Sequence, residues 1–396
     1  MGCVKFLLPI IIVGALLASQ IASAQVSSSP LNLCANRALE RRALRLIRVH
    51  RMATCQPKTA MSSSSVSSSA SSQPTSRTSP TKPSQLSLDP LSDTDIHSQF
   101  LLLGEVSPIL GAASIFLEEE PLSVTSISIN ITAEVSTVQS FLVYDDQRHL
   151  LGNANLDPSM STNRSYKAYI SNDAFVIDKR EQRNFYVRAR LNARDAGGQS
   201  NQVVQIANIV VKGTGVWSSQ SYTKVSTQTS SYPVFVTSRS TIVSVKNAGQ
   251  ASASLVTGSN REIGRFRFIG RRTDSSAHID LTDLTFELQQ TGGAALTNVF
   301  LVTPSVTERL PCTVNSSQIT CSSIPDAYGS LTDEPRTIIL YGDVTAIGPQ
   351  HASLRLSLSP AGTSDTAGAI SWSDGSTTFT WVALDGTAVD GTLYQY

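Results

Sequence analysis

The sequence has few of the residues, and none of the spacings, that mark a catalytic or metal site. Its five histidines are scattered, and it contains no H-E-x-x-H, C-x-x-C or G-x-S-x-G motif and no phosphate-binding glycine loop. Acidic turns at residues 118–120 and 145–146 could hold calcium, but no EF-hand loop is present. We predict a protein that is not an enzyme and has no cofactor. A glycosidase-type pair of carboxylates, in an extracellular glycan-active enzyme, is the third hypothesis.

Charged residues and long apolar runs are also scarce. Asp, Glu, Lys and Arg make up 15% of the chain, against about 25% in an average soluble protein. The net charge is +1, so the overall balance favours neither nucleic acid nor another polyanion as a partner. After the N-terminal apolar run, no second run is long enough to span a bilayer.

Residues 1–24 have the pattern of a secretory signal peptide. Lys5 precedes an apolar run over residues 6–18, and Ala22-Ser23-Ala24 forms an A-x-A cleavage site. The pattern predicts export to the cell surface or the extracellular space. An uncleaved membrane anchor is the alternative, because residues 6–24 are just long enough to cross a bilayer.

Residues 25–56 form a basic segment that contains Cys34 and Cys55. Between these cysteines lie six Arg and one Glu. Four of the arginines recur at helical spacing: Arg37, Arg41, Arg45 and Arg48. The pattern predicts an amphipathic helix that contacts an anionic membrane or wall polymer, with an ordinary solvated helix as the alternative. A straight helix would hold the cysteines about 30 Å apart, so they pair only if the segment folds back, and otherwise pair elsewhere or stay free.

Residues 57–96 have the composition of a disordered linker. Nine of the eleven residues 62–72 are serine, and prolines follow among Ser and Thr. Such a stretch cannot bury enough apolar surface to offset the entropy of ordering it. We expect a stalk that holds the folded part away from its point of attachment.

The rest of the chain reads as one β unit used twice. Residues 280–288 (D-L-T-D-L-T-F-E-L) and residues 123–131 (S-V-T-S-I-S-I-N-I) both alternate apolar and polar side chains, with one slip at the same place. Alternation indicates a strand with one buried face, and the shared slip indicates a shared bulge. Further matches follow in the same order, among them Trp217 with Trp372. We predict an all-β protein with two tandem immunoglobulin-like β-sandwich domains, residues 97–236 and 237–396.

The second repeat contains its own candidate crosslink. Cys312 and Cys321 flank T-V-N-S-S-Q-I-T. Pairing Val314 with Ile319 in a hairpin places the two cysteines opposite each other, in a compartment that permits disulfides. We predict a structural disulfide between Cys312 and Cys321.

Tryptophan provides the one sequence hint of a ligand. Trp381 has no clear counterpart in the first repeat, so its ring is a candidate glycan contact, with packing against an edge strand as the alternative. The matched tryptophans, Trp217 and Trp372, favour a core or interface role.

The repeat plan, with its G-x-F-x-F strand, D-L-T-D-L-T-F, N-V-F-L and W-S-D-G-S segments, resembles exported bacterial surface proteins with tandem immunoglobulin-like sandwiches. The resemblance covers about residues 97–396 and implies a structural or adhesive role at the cell surface, with no catalytic residues. The first hypothesis is therefore a stalked, non-catalytic interaction module whose partner is a surface polymer, a glycan or another surface protein. A carbohydrate-binding module protein is the second hypothesis.

Overall fold

The computed structural model describes residues 85–91, 96–171, 174–226, 232–348, 351–359, 362–384 and 388–396. Within these ranges the chain is almost entirely β, with one single-turn helix, α1 (Asp326–Gly329), and a 3-10 turn at Arg194–Ala196. The prediction of an all-β chain with two tandem β-sandwiches is confirmed. The predicted signal peptide and basic segment lie outside the described residues, together with Cys34, Cys55, Arg37, Arg41, Arg45 and Arg48.

The first sandwich is a sheet that folds over on itself. Its strands pair in the order β1-β3-β9-β5-β6-β7-β4-β11-β12, and β8 pairs with β4. The strands of this half, including the short β2 and β10, are β1 (Leu86–Pro90), β2 (Phe100–Leu102), β3 (Val106–Leu117), β4 (Leu122–Ile131), β5 (Val138–Asp145), β6 (Leu150–Leu156), β7 (Ser165–Tyr169), β8 (Val176–Ile177), β9 (Gln182–Leu191), β10 (Val203–Val204), β11 (Ile206–Gly215) and β12 (Ser221–Val225).

The second sandwich has two separate sheets. One is ordered β14-β16-β22-β18-β19, and the other contains β15-β27-β23-β17-β21-β20 with β24, β25 and β26 attached. After β13 (Phe235–Ser238), the strands are β14 (Ser240–Asn247), β15 (Ser252–Ser254), β16 (Gly258–Arg272), β17 (Asp280–Thr291), β18 (Ala294–Thr303), β19 (Val306–Pro311), β20 (Thr313–Val314), β21 (Gln318–Cys321), β22 (Arg336–Ala346), β23 (Ser353–Leu358), β24 (Ile370–Ser373), β25 (Thr378–Phe379), β26 (Val389–Asp390) and β27 (Leu393–Gln395).

The two halves repeat the same strand order. The series β1-β3-β9-β5-β6 corresponds to β14-β16-β22-β18-β19, all in antiparallel pairing. This correspondence corrects the predicted linker, because β1 lies inside residues 57–96. Leu86 and Leu88 are buried, and the whole of β1 pairs with β3. Two leucines at alternate positions thus bury enough surface to add a strand to the end of a Ser-rich stretch.

The slip seen in the sequence is a β-bulge in both copies. In β4 the pairing with β11 passes over Thr125, between Val124 and Ser126. In β17 the pairing with β24 passes over Thr282, between Leu281 and Asp283. A bulge leaves one residue unpaired and shifts the alternation of side chains by one. The slip seen in both sequence segments is therefore a bulge that occurs in both sandwiches.

This register shows that the predicted match of Trp217 with Trp372 is wrong. Trp372 pairs with Leu281, next to the bulge, and the residue at the same place in the first sandwich is Gly213, which pairs with Val124. Trp372 is fully buried, whereas the Trp217 side chain is 45% exposed. A side chain at Gly213 would meet Leu122 and the Ser123 carbonyl oxygen at 2.8 Å, so only the second sandwich has room for a large residue there.

Each sandwich has its own hydrophobic cluster, but the cluster of the second sandwich includes two residues from the first repeat. Phe100 and Val236 belong to the cluster of the second sandwich. Their strands join β10 in a three-stranded sheet, in which β13 runs parallel to β2 and pairs Val236 with Phe100. The Phe100 ring stacks on Trp381 at a centroid distance of 4.1 Å and meets the edges of Trp372 and Phe379. The boundary near residue 236 is thus a packed junction.

A buried carboxylate ties this junction together. One oxygen of Asp374 accepts hydrogen bonds from Ser200, Ser238 and the Arg239 amide, and the other accepts from Ser376 and the Thr377 amide. Burial raises the pKa of Asp374, but the hydrogen bonds outweigh burial and hold the pKa below its usual value. The charged form is therefore the one that the junction stabilises.

Candidate functional site

A groove lies beside the disulfide hairpin of the second sandwich. Its volume is about 880 Å³. The walls come from β18, from the end of β19 and from the turn between β20 and β21. Loops that differ between two copies of a fold are a common place for recognition, and this hairpin is one of them.

The hairpin has the register expected from the sequence. Val314 pairs with Ile319 and Thr313 with Thr320, and Cys312 is bonded to Cys321. The prediction of this disulfide is confirmed. The Asn315 side chain accepts hydrogen bonds from the Ser317 and Gln318 amides, which closes the turn.

The first sandwich has no sulfur at this place. Its β6 and β7 pair Asn155 with Lys167 and Leu156 with Tyr166, so the next pair along the ladder is Ala154 with Ala168. Both alanines are fully buried. The loop between β6 and β7 is also longer than the turn between β20 and β21. The first sandwich thus has a pair of alanines and a longer loop where the second sandwich has a disulfide and a short turn.

One wall of the groove carries an aromatic ring covered by a cation. Phe300 pairs with Tyr341 across the sheet, and their rings lie nearly parallel at a centroid distance of 5.7 Å. The Arg309 guanidinium lies 4.4 Å from the Phe300 centroid and donates a 2.8 Å hydrogen bond to the Asn260 side chain. These two contacts orient the Arg309 guanidinium, which lines the groove.

Amide side chains supply the other polar groups. The Asn298 side chain donates a hydrogen bond to the Asp343 carboxylate, and this bond is the main cause of a lowered pKa at Asp343. A hydrogen bond from the Asn260 amide lowers the pKa further. The Gln290 side-chain oxygen is buried and accepts no hydrogen bond from the described residues. A buried acceptor without a donor is destabilising on its own.

The structure places the predicted glycan contact elsewhere. Trp381 is 4% exposed and stacked on Phe100, so its ring cannot face a sugar. Its backbone carbonyl accepts a hydrogen bond from the Trp372 indole. The glycan prediction for Trp381 is therefore wrong, because the chain segment at the junction covers the ring. The groove residues Phe300 and Arg309 carried no distinctive motif that could have indicated them.

The described part of the chain contains no group of three His, Cys, Asp or Glu side chains that could hold a metal ion. No helix within the same residues is long and apolar enough to cross a membrane. His149 and His278 lie in the loops that precede β6 and β17, near Asp145 and Asp280 respectively.

No protein-family model and no curated protein matches this chain. Three solved structures illustrate what its backbone is similar to. The C-terminal domain of the AgI/II polypeptide BspA of Streptococcus agalactiae has 8% identity and a TM-score of 0.23, and the match covers 79% of this chain and 100% of that one. BcpA, the major pilin subunit of Bacillus cereus, has 9% identity and a TM-score of 0.24, covering 77% and 66%. The B domain of a biofilm-associated protein has 8% identity and a TM-score of 0.20, covering 78% and 84%.

Proposed function

We propose that this protein is a non-catalytic interaction module of the cell surface or the extracellular space, and that the groove beside the disulfide hairpin is its binding site. The observation that carries the proposal is the combination of a crosslinked turn with a cation, Arg309, which lines the groove and is held by its contacts with Phe300 and Asn260. A short crosslinked turn limits the motion of the groove wall, which lowers the entropy lost on binding.

The nearby carboxylate favours recognition over catalysis. Asp343 accepts hydrogen bonds from the Asn298 side chain and the Asn260 amide, which stabilise its charged form. A general acid at neutral pH needs the opposite shift, toward a raised pKa. Asp343 therefore lacks the raised pKa that a general acid at neutral pH needs.

Export and attachment belong to the same proposal. The signal-peptide pattern of residues 1–24 supports secretion, the Ser-rich linker supports a stalk, and the arginines of residues 34–55 support contact with an anionic membrane or wall polymer. Fractionation of the native cells tests the location. Recovery of the protein in the cytoplasm, with residues 1–24 retained, would refute this part of the proposal.

A glycan is the ligand class that the groove favours. Sugar rings present apolar C–H faces together with hydroxyls that both donate and accept. The groove is lined by the half-buried Phe300 and Val314 beside the exposed Arg309, Asn298 and Asn315 side chains. This arrangement supports the carbohydrate-binding alternative, although not through Trp381.

A glycan array probed with the full chain tests this alternative. We expect Arg309→Ala to lower binding at least tenfold, while Arg194→Ala, which removes an exposed arginine far along the sequence in the first sandwich, leaves it unchanged. Both variants should unfold at the same temperature as the parent protein. The carbohydrate proposal would be refuted if no glycan on the array bound the protein, or if the two variants lost glycan binding equally.

A further inference from the structure

In strands β9 and β16, exposed arginines alternate with buried side chains, so the arginines lie on the outer face of each sheet. In β9, Phe185, Val187 and Ala189 are buried, and Arg188 and Arg190 are exposed between them. In β16, Phe266 and Phe268 are buried, and Arg267 and Arg271 are exposed. Strand alternation therefore gathers positive charge on one side of each sandwich, although the whole chain carries only +1.

Several of these cations have no carboxylate to neutralise them. Arg188, Arg190, Arg267 and the neighbouring Lys246 make no side-chain hydrogen bond or ion pair with any described residue. Lys246 also lies directly opposite Arg267 in the pairing of β14 with β16. Like charges placed opposite each other on a sheet destabilise it, so this pair has no structural benefit.

The nearby acidic groups are already engaged. Glu105 binds Arg271 at 2.7 Å, linking the two sandwiches. Asp146 accepts two hydrogen bonds of 2.8 Å from Arg183, and Glu262 likewise binds Arg265 through both oxygens. These pairs leave the positive charge of the four cations uncompensated.

The basic surface continues across the junction. One depression, of about 390 Å³, is lined from the first sandwich by Glu105 and Arg188 and from the second by Val243 and Arg271. A second depression, of about 560 Å³, shares Arg188 and adds Tyr144, Tyr186, Arg148 and Asp146, of which Asp146 is paired with Arg183. Tyr144 and Tyr186 are paired across β5 and β9. The basic face is defined by the four uncompensated cations Arg188, Arg190, Lys246 and Arg267. The Arg271–Glu105 pair lies beside Arg188 at the junction, and Tyr144 and Tyr186 lie beside Arg188 in the first sandwich.

We propose that the basic face binds an anionic polysaccharide through its carboxylate or sulfate groups. Guanidinium groups match the planar geometry of carboxylates and oxyanions, and tyrosine rings pack against sugar rings. A linear polyanion can engage both sandwiches at once, because the packed junction holds the two halves of the face in one arrangement. The net charge of the sequence conceals this site, since the neutralising carboxylates lie elsewhere.

Binding of the full chain to immobilised polysaccharides tests the proposal. The probes are a polyuronate, a sulfated glycosaminoglycan and neutral dextran, each at 50 and 200 mM salt, with duplex DNA as a competing polyanion. We expect binding to at least one acidic polysaccharide, none to dextran, and a marked loss at the higher salt. The polyuronate and sulfated arms decide between carboxylate and sulfate as the recognised group.

Charge-matched variants locate the site. Arg188→Gln with Arg190→Gln, and Lys246→Gln with Arg267→Gln, should each weaken binding about tenfold, equivalent to about 1.4 kcal/mol. The control Arg194→Gln with Lys224→Gln removes the same charge from exposed positions outside the face and should weaken binding less than twofold. The Lys246/Arg267 variant should be no less stable than the parent, because it removes a like-charge pair.

Several results would overturn the proposal. They are no binding to either acidic probe, equal losses in the control and face variants, or tighter binding to DNA than to both polysaccharides. Arg309→Ala should not affect polyanion binding, so failure of the groove proposal and failure of this one are distinguishable.

Discussion

Replacing Phe100 with alanine should destabilise the second sandwich, although the residue lies in the first half of the chain. Its side chain is 6% exposed and contacts Trp372, Phe379 and Trp381 at centroid distances of 5.3, 4.9 and 4.1 Å. Removing a buried phenylalanine ring costs about 3–5 kcal/mol. Because three aromatic contacts are lost together, we expect a value in the upper half of that range.

Urea unfolding followed by tryptophan fluorescence measures this effect. Trp372 and Trp381 are buried at the junction and report on it directly, whereas Trp217 is 45% exposed and contributes little change. Tyr169→Ala is the matched control, since its aromatic ring is 74% exposed and should cost less than about 0.5 kcal/mol. A loss below 1 kcal/mol for Phe100→Ala would refute the reasoning that the junction is part of the second core.

Three further predictions concern the crosslink, its counterpart and the junction carboxylate. Replacing Cys312 and Cys321 with alanine should leave the fold intact but lower the unfolding free energy by about 2–3 kcal/mol in denaturant titrations. The double change Ala154→Cys and Ala168→Cys should form a disulfide, detected as a mass loss of about two hydrogens. Asp374 has a lowered folded pKa, so its contribution to stability is present above the unfolded value of about 3.9 and is lost as pH falls through the folded value. Stability of the parent should therefore drop in acid, and Asp374→Asn should show a smaller drop.

Each of these has a clear contrary result. Loss of the fold in the alanine pair would show that the disulfide is needed for structure and not only for stability. Free thiols in the alanine-to-cysteine pair under oxidising conditions would contradict the correspondence of β6 and β7 with β20 and β21. An acid profile of Asp374→Asn identical to that of the parent would place the acid sensitivity elsewhere.

Local patterns in the sequence predicted the bulge, the hairpin and the alternating strands, but missed β1, which lies in the predicted linker. Alternation around Thr125 and Thr282 depends on the neighbours of each residue along the chain, so the shared bulge was visible in the letters. The disulfide of Cys312 and Cys321 closes over a short turn, and its register follows from spacing alone. Interactions between residues close in sequence are the ones that a single sequence specifies most directly.

Contacts between distant segments needed the tertiary structure. Phe100 enters the core of the second sandwich because β2 pairs with β13, more than one hundred residues later in the chain. The same contact buries Trp381 and removes it from the surface. The sequence determined that β9 and β16 each alternate arginine with buried residues. Only the packed junction decided that Arg188 and Arg271 line one depression, because that proximity depends on how two separately folded sheets meet.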